Sequence, residues 1–260
     1  MAIGWYAYPL AIIAGIVAGI INTLAGSGSL VTLPMLVFLG LPANVANGTN
    51  RIGVLLQNVV GISTFYQRGQ LDLRGGLWLV GPAVLGSIIG ARIAVDLNER
   101  WMNYTIGAVM VIMLFVILLK PDRWLRQQSV VQSGRPSLLT LGIFLLVGAY
   151  GGFIQAGVGI FLLAAMVLGT GYTLVHANAI KLLIVFAFTI PALAIFFVNG
   201  QVNWGLGLLM AVGQSIGAWL AATFATSNKD ANRWVRRLLI TVIIVSILKF
   251  FGVLDLLLRV

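Results

Sequence analysis

The sequence predicts an all-α integral membrane protein of two inverted-topology repeats, each with a broken, re-entrant-like helix at a glycine motif. Three observations carry this. The 260 residues are 60% hydrophobic and 8% charged, with a mean hydropathy of +1.04, and long apolar runs of that composition are membrane spans. Two runs are interrupted by glycine, at Gly26-Ser27-Gly28-Ser29 and at Gly157-Val158-Gly159-Ile160. The interruptions share one offset, since 157 − 26 and 159 − 28 are both 131. Glycine loosens a helix and lets backbone come close to whatever lies opposite. Broken helices at corresponding points of two halves point to a transporter's binding site. Close packing of small residues is the plainer use of glycine in a membrane, but the recurrence at matching positions favours a break.

Taken in order, Trp5, Tyr6 and Tyr8 read as an interfacial aromatic anchor. Met1 to Leu10 holds no Lys or Arg, so the basic head of a cleaved signal peptide is missing and the first helix is expected to be retained. That helix is predicted over residues 9–24. After the break, residues 30–39 are apolar but too short to cross about 30 Å of hydrocarbon. Gly40-Leu41-Pro42 turns the chain into a helix over 46–65 with a polar head, Asn47, Thr49, Asn50 and Arg51. A basic loop at 67–74 and spans over 77–95 and 101–119 complete a first membrane repeat, residues 1–119.

Residues 120–137 read as a linker, with Lys120, Arg123, Arg126 and Arg135. The second repeat, 138–260, follows the same plan. A helix over 138–155 leads to the second break, and a short segment over 160–168 and a turn at Gly171 follow. A polar-headed helix is predicted over 178–198, with spans over 204–226 and 234–249 and a tail over 250–260. Sliding residues 26–91 by 131 positions without a gap gives 14 identities in 66. The Gly, Asn and Gln matches fall at the same turns, which is the part that apolar composition does not supply.

Lys and Arg in short loops set orientation. The linker is expected to be cytoplasmic. If each broken pair of segments enters and leaves on one side, the uncharged loop 199–203 is outside and loop 226–237, with Lys229, Arg233, Arg236 and Arg237, is inside. Counting back, loop 67–74, with Arg68 and Arg74, is inside. The equivalent loops 67–74 and 199–203 then face opposite sides, which is the mark of inverted halves. Loop 92–100 places Arg92 and Arg100 outside, accompanied by Asp96 and Glu99.

The glycine break, Pro34 eight residues after Gly26, Ala46-Asn47-Gly48-Thr49 at a helix opening, and the second break at Gly157-Val158-Gly159 together resemble the sulfite exporter TauE/SafE family of membrane permeases. The likeness covers nearly the whole chain. It departs from the family's glycine run, since serines alternate with glycine at the first break and Val158 and Ile160 stand at the second. The resemblance implies transport of a small sulfur-containing or organic anion, such as sulfite or sulfoacetate.

Arg51 and Lys181 are the charges of most interest, because a charge inside a membrane is costly and is functional by default. Asn47, Asn50, Arg51 and Asn58 fall on one helical face, and Asn178 and Lys181 repeat the spacing. Their helix N-termini add partial positive charge suited to an oxyanion. The alternative is that both cations snorkel to lipid headgroups. The candidate substrate-binding set is Asn22, Gly26, Ser27, Gly28, Ser29, Asn47, Thr49, Asn50, Arg51, Gln57, Gln155, Gly157, Gly159, Asn178 and Lys181. Ser27 and Ser29 could instead satisfy freed backbone, and His176 and Gln214 read as helix-end and helix-packing groups.

No cysteine, one histidine and six carboxylates near helix ends leave no metal or cofactor site, no central acid for proton relay and no catalytic triad. There is no Walker A motif. The expected partners are a small anionic substrate and the lipid bilayer, with self-association into a homo-oligomer left open. The net charge of +10 lies in loops at helix ends and suits headgroups, not nucleic acid. The sequence therefore reads as a secondary transporter in the cell (inner) membrane. A passive anion channel is the second reading, and an intramembrane enzyme lacks the paired residues it would need.

Overall fold

The computed structural model describes residues 7–69, 71, 73–119, 136–170, 174–224 and 231–251. They form ten helices: α1 (Ala7–Ala25), α2 (Ser29–Phe38), α3 (Ala43–Gln67), α4 (Leu73–Val95), α5 (Glu99–Leu118), α6 (Leu138–Phe153), α7 (Val158–Thr170), α8 (Leu174–Val198), α9 (Trp204–Phe224) and α10 (Ala231–Phe250). No strand occurs among the described residues. Trp5 and Tyr6, linker residues 120–135, the turn at Gly171 and the tail beyond 251 lie outside them.

Local chemistry sets the boundaries. Asn98 caps α5, its side chain accepting from the Trp101 N–H at 3.0 Å, and Ser137 caps α6 by accepting from Thr140 N–H at 3.2 Å. α2 and α7 have 10 and 13 residues, against 25 each for α3 and α8. Four helical stretches are long and apolar enough to cross a membrane: Leu77–Val95, Glu99–Leu118, His176–Val198 and Trp204–Thr223. Exposed apolar residues line one side of such helices, as Leu85, Ile89 and Ile93 do on α4 and Leu208, Val212, Ile216 and Trp219 on α9. That is the pattern of a lipid-facing stripe.

Packing follows small residues. α9 lies on α1 and α3, and α4 lies on α6 and α8. Gly15 and Gly19 of α1 meet Gly213 and Gly217 of α9, while Gly86 and Gly90 of α4 meet Gly148 and Gly152 of α6. A Cβ on any of these eight would come within 3.0 Å of a carbonyl oxygen on the facing helix. Apolar side chains gain little from leaving lipid for protein, so close backbone approach at Gly-xxx-Gly pairs is what joins such helices. α5 and α10 pack together, with α10 also touching α2.

The two turns compared in the sequence lie at opposite ends of α3 and α9. At one end, Gln201 Nε2 donates to the Val95 carbonyl at 2.9 Å, and the Asn203 N–H donates to Thr49 Oγ1 at 2.8 Å. At the other, Arg68 at the foot of α3 donates to the Ala222 carbonyl near the end of α9 at 2.7 Å. Gln67 and Asn199 are both exposed. Single cysteines replacing them, in a chain with none of its own, are expected to react with an impermeant maleimide from opposite sides of a sealed membrane. Labelling of both from one side would contradict this arrangement.

Candidate functional site

α1 stops at Ala25 and α2 starts at Ser29; α6 stops at Phe153 and α7 starts at Val158. Gly26 and Gly157 turn the chain with φ of 71° and 72°, a left-handed conformation open to glycine at little cost. The two interruptions touch each other. The Gly159 N–H donates to the Gly26 carbonyl at 3.0 Å. A Cβ on Gly26 would lie 2.6 Å from the Gly159 backbone, so this contact requires glycine on both sides.

Each interruption leaves unpaired carbonyls at the end of the preceding helix. Those of α6 are taken by α3. Arg51 donates from Nη1 to the Gly151 carbonyl at 3.1 Å and from Nη2 to the Gly152 carbonyl at 2.5 Å, and Asn47 Nδ2 donates to the Phe153 carbonyl at 2.8 Å. The guanidinium also lies over the Phe196 ring of α8, 4.5 Å from its centroid. At the end of α1 the donors come from α8, although the Asn22 carbonyl also accepts from the Gly26 N–H at 2.9 Å. Lys181 Nζ donates to the Asn22 carbonyl at 3.0 Å, the Thr23 carbonyl at 3.4 Å and Asn178 Oδ1 at 2.9 Å. So a cation from each long polar-headed helix caps the broken helix of the other five-helix set. Cations at helix C-termini are also favoured by the helix dipole.

Arg51 and Lys181 are 0% and 1% exposed, which rules out snorkelling to headgroups. Their hydrogen bonds run to carbonyls and one amide oxygen. The carboxylates among the described residues, Asp96 and Glu99, sit at the α4–α5 turn. Both cations sit at helix C-terminal ends, those of α6 and α1. The sequence pointed instead to the N-termini of α3 and α8, and Arg51 lies eight residues inside α3.

The remaining candidates divide. Asn22 Oδ1 accepts from the Gly28 N–H at 3.4 Å, and Asn50 Nδ2 donates to Ser29 Oγ at 3.0 Å. Thr32 Oγ1 donates to Asn50 Oδ1, so the first break is tied to α3 by a hydroxyl–amide–hydroxyl chain. Ser27 is buried beside them. Gln155 Nε2 donates to Thr189 Oγ1 on α8 at 2.7 Å, leaving its oxygen unpaired. Gly157 lies against Met113. Thr49 stands apart from the breaks and holds the 199–203 turn instead. Gln57 is buried with neither polar atom paired. Thr32, Thr189 and Phe196 were not signalled by the sequence. No group of three His, Asp or Glu residues able to hold a metal occurs among the described residues.

Gly159→Ala is expected to drive a methyl into the Gly26 backbone and to cost the protein its monodisperse behaviour in detergent. Gly81→Ala, on α4 with open space around the added carbon, should leave the unfolding midpoint unchanged. Equal midpoints for the two variants would mean that the breaks are not in contact.

The family model for the sulfite exporter TauE/SafE family matches residues 11–250. A "Probable membrane transporter protein ORF9" of Sinorhizobium sp is 27% identical over 218 residues, 83% of this chain and 82% of the relative. A "Probable membrane transporter protein" of Haemophilus influenzae is 28% identical over 214 residues, 80% of this chain and 81% of the relative. The "Probable membrane transporter protein YfcA" of Escherichia coli K12 is 28% identical over 212 residues, 81% of this chain and 78% of the relative. No solved structure gives a significant match. With the match running from α1 to the end of α10, the chain belongs to the sulfite exporter TauE/SafE family of membrane proteins.

Proposed function

We propose that this chain is a secondary transporter of a small oxyanion, of the sulfite or organosulfonate kind, working by alternating access of two inverted halves in the cell membrane. The observation that carries the reading is the pair of fully buried cations at the joined breaks, with no carboxylate of the described residues beside either. A buried charge is costly unless something of opposite charge or strong dipole answers it. Backbone carbonyls answer part of it here. An anion would answer the rest.

Electrostatics at each break supports that sign. The C-terminal end of α1 or α6 carries about half a negative charge, and the N-terminal end of α2 or α7 about half a positive one. Lys181 and Arg51 cover the negative ends. What is left in the buried interior is positive: the N-terminal dipoles of the two short helices and the unused donors of Arg51. Of that residue's five N–H groups, two are bonded and the one on Nε has no partner. Lys181 has its three N–H groups engaged. Arg51 is therefore the residue proposed to touch the anion, and Lys181 the one that supplies field.

The corresponding order of five helices in each stretch, and the packing of α4 and α9 each onto the other stretch, support the inverted-repeat reading. The name of the matched family and those of the relatives support transport as the activity. The Gly26–Gly159 contact would then be the point about which one half rocks against the other.

Purified protein in proteoliposomes is expected to take up labelled sulfite faster when unlabelled anion is inside, and to saturate. A panel with thiosulfate, sulfonates and carboxylates would set the selectivity. Single-channel currents would instead mark a pore. Arg51→Gln should weaken substrate affinity by about 10- to 100-fold, corresponding to about 1.5–3 kcal/mol for a charge-assisted hydrogen bond. Arg51→Lys should rescue only in part, since an ammonium lacks the planar fork, and Lys181→Gln should cost less than Arg51→Gln. Wild-type affinity in a folded Arg51→Gln protein would reduce both cations to helix caps.

A further inference from the structure

The polar face of α3 does not end at the breaks. Asn47, Asn50 and Arg51 are bonded to the broken helices. Further along the same helix Gln57 and Asn58 are 1% and 0% exposed, and none of their four polar side-chain atoms has a partner. Buried polar groups are nearly always hydrogen-bonded, and an unpaired one is costly. Two neighbours left wholly unpaired therefore call for a partner that is not part of the chain.

Their position narrows what that partner is. Asn58 lies seven residues beyond Arg51, about 10 Å along the axis and on the same face. Gln57 stands in the same relation to Asn50. Gln214 of α9, whose Nε2 also lacks a partner, lies against Gly53, one turn before Gln57. α3 and α8 run in opposite directions: Arg51 stacks on Phe196, while Gly61 lies against Leu182, the residue after Lys181. Along α3, Gln57 and Asn58 thus fall between Arg51 and the level of Lys181.

We infer that Gln57, Asn58 and Gln214 form an uncharged station for the oxyanion as it leaves Arg51 toward the level of Lys181. This rests on the anion-transport reading. The three amide NH2 groups offer donors to sulfonate or sulfite oxygens, and the free amide oxygens accept from an accompanying water. Neutral hydrogen bonds are roughly half as strong as charge-assisted ones. The station holds the anion less tightly than Arg51 does, and a path conducts only when each site on it can also release. An uncharged site next after Arg51 keeps the anion from stalling there.

Asn58→Leu and Gln57→Met remove the amides with little change of volume. In proteoliposomes, labelled sulfite flux through Asn58→Leu should fall at saturation by about tenfold or more, on the scale of one hydrogen bond to a charged ligand. The half-saturating concentration should change far less, because Arg51 is intact. The unfolding midpoint should hold or rise, since an unpaired buried amide is gone. Asn58→Asp, which adds a negative charge at the same size, should be worse than Asn58→Leu. Should Asn58→Leu not fold, Asn58→Ala removes the same amide and is read the same way. Undiminished flux in both amide variants, with a lowered midpoint, would mean that these groups only hold a structural water, and the station would be overturned. A wild-type protein that moves none of the anions tested overturns the transport reading, and the station with it.

Discussion

The capping of the C-terminal ends of α1 and α6, each by a cation from the other five-helix set, is the interaction on which the rest depends. Ending a helix inside a low-dielectric interior leaves carbonyls that neither water nor a neighbouring turn can satisfy. Burying a cation there is equally unfavourable by itself. Together each cancels the other's cost: Arg51 closes the end of α6, and Lys181 closes the end of α1. Neither half of this arrangement is stable without the other. It also explains why the cations sit eight and seven residues inside α3 and α8, not at their ends.

The glycines serve two different purposes, and the structure separates them. Gly26 and Gly159 let two chain interruptions hydrogen-bond backbone to backbone. The eight glycines on α1, α4, α6 and α9 instead bring whole helices together side by side. This second group holds α1 to α9 and α4 to α6. Contacts between the stretches include helix–helix at the Gly-xxx-Gly pairs, backbone at Gly26–Gly159, and cation–carbonyl at Arg51 and Lys181. The first kind is repetitive and can slide as a packed face. The other two are single hydrogen-bonded points, and any relative motion of the stretches must keep or exchange them.

Much of this was legible in the sequence because it is local. The two breaks announced themselves by glycine inside an apolar run, and the offset of 131 tied them together. Arg51 and Lys181 stood out because charge in an apolar segment is rare. Their partners were not legible. Gly151 and Gly152 lie 100 or so positions from Arg51 and contribute carbonyls, which every residue has. Direction was missed for the same reason: nothing in a sequence says whether a cation faces a helix's N-terminal donors or another helix's C-terminal acceptors. Thr32 and Thr189 were invisible because an isolated threonine in a membrane helix is ordinary. Gly15, Gly19, Gly213 and Gly217 were readable as Gly-xxx-Gly pairs, yet only the fold shows that they face one another.

The two breaks share a backbone plan but not a chemistry. The first is polar, with Ser29 and Thr32 bonded to Asn50 and Ser27 buried at the break; the second has Val158 and Ile160 in the places of the serines. Their caps differ in the same sense. The second break is closed by a guanidinium with N–H groups to spare, the first by an ammonium with none. A fold built on a repeated plan would give two equivalent anion positions if both halves kept the same residues. Here the spare donors and the hydroxyls both lie along α3, on Arg51 itself and on the groups that Asn50 gathers. An anion drawn to the joined breaks would accordingly settle on the α3 side of the Gly26–Gly159 contact, with Lys181 acting on it through the interior field alone. On the proposed transport reading the asymmetry would set the specificity, the shared backbone plan serving as hinge and the departure from it as binding side.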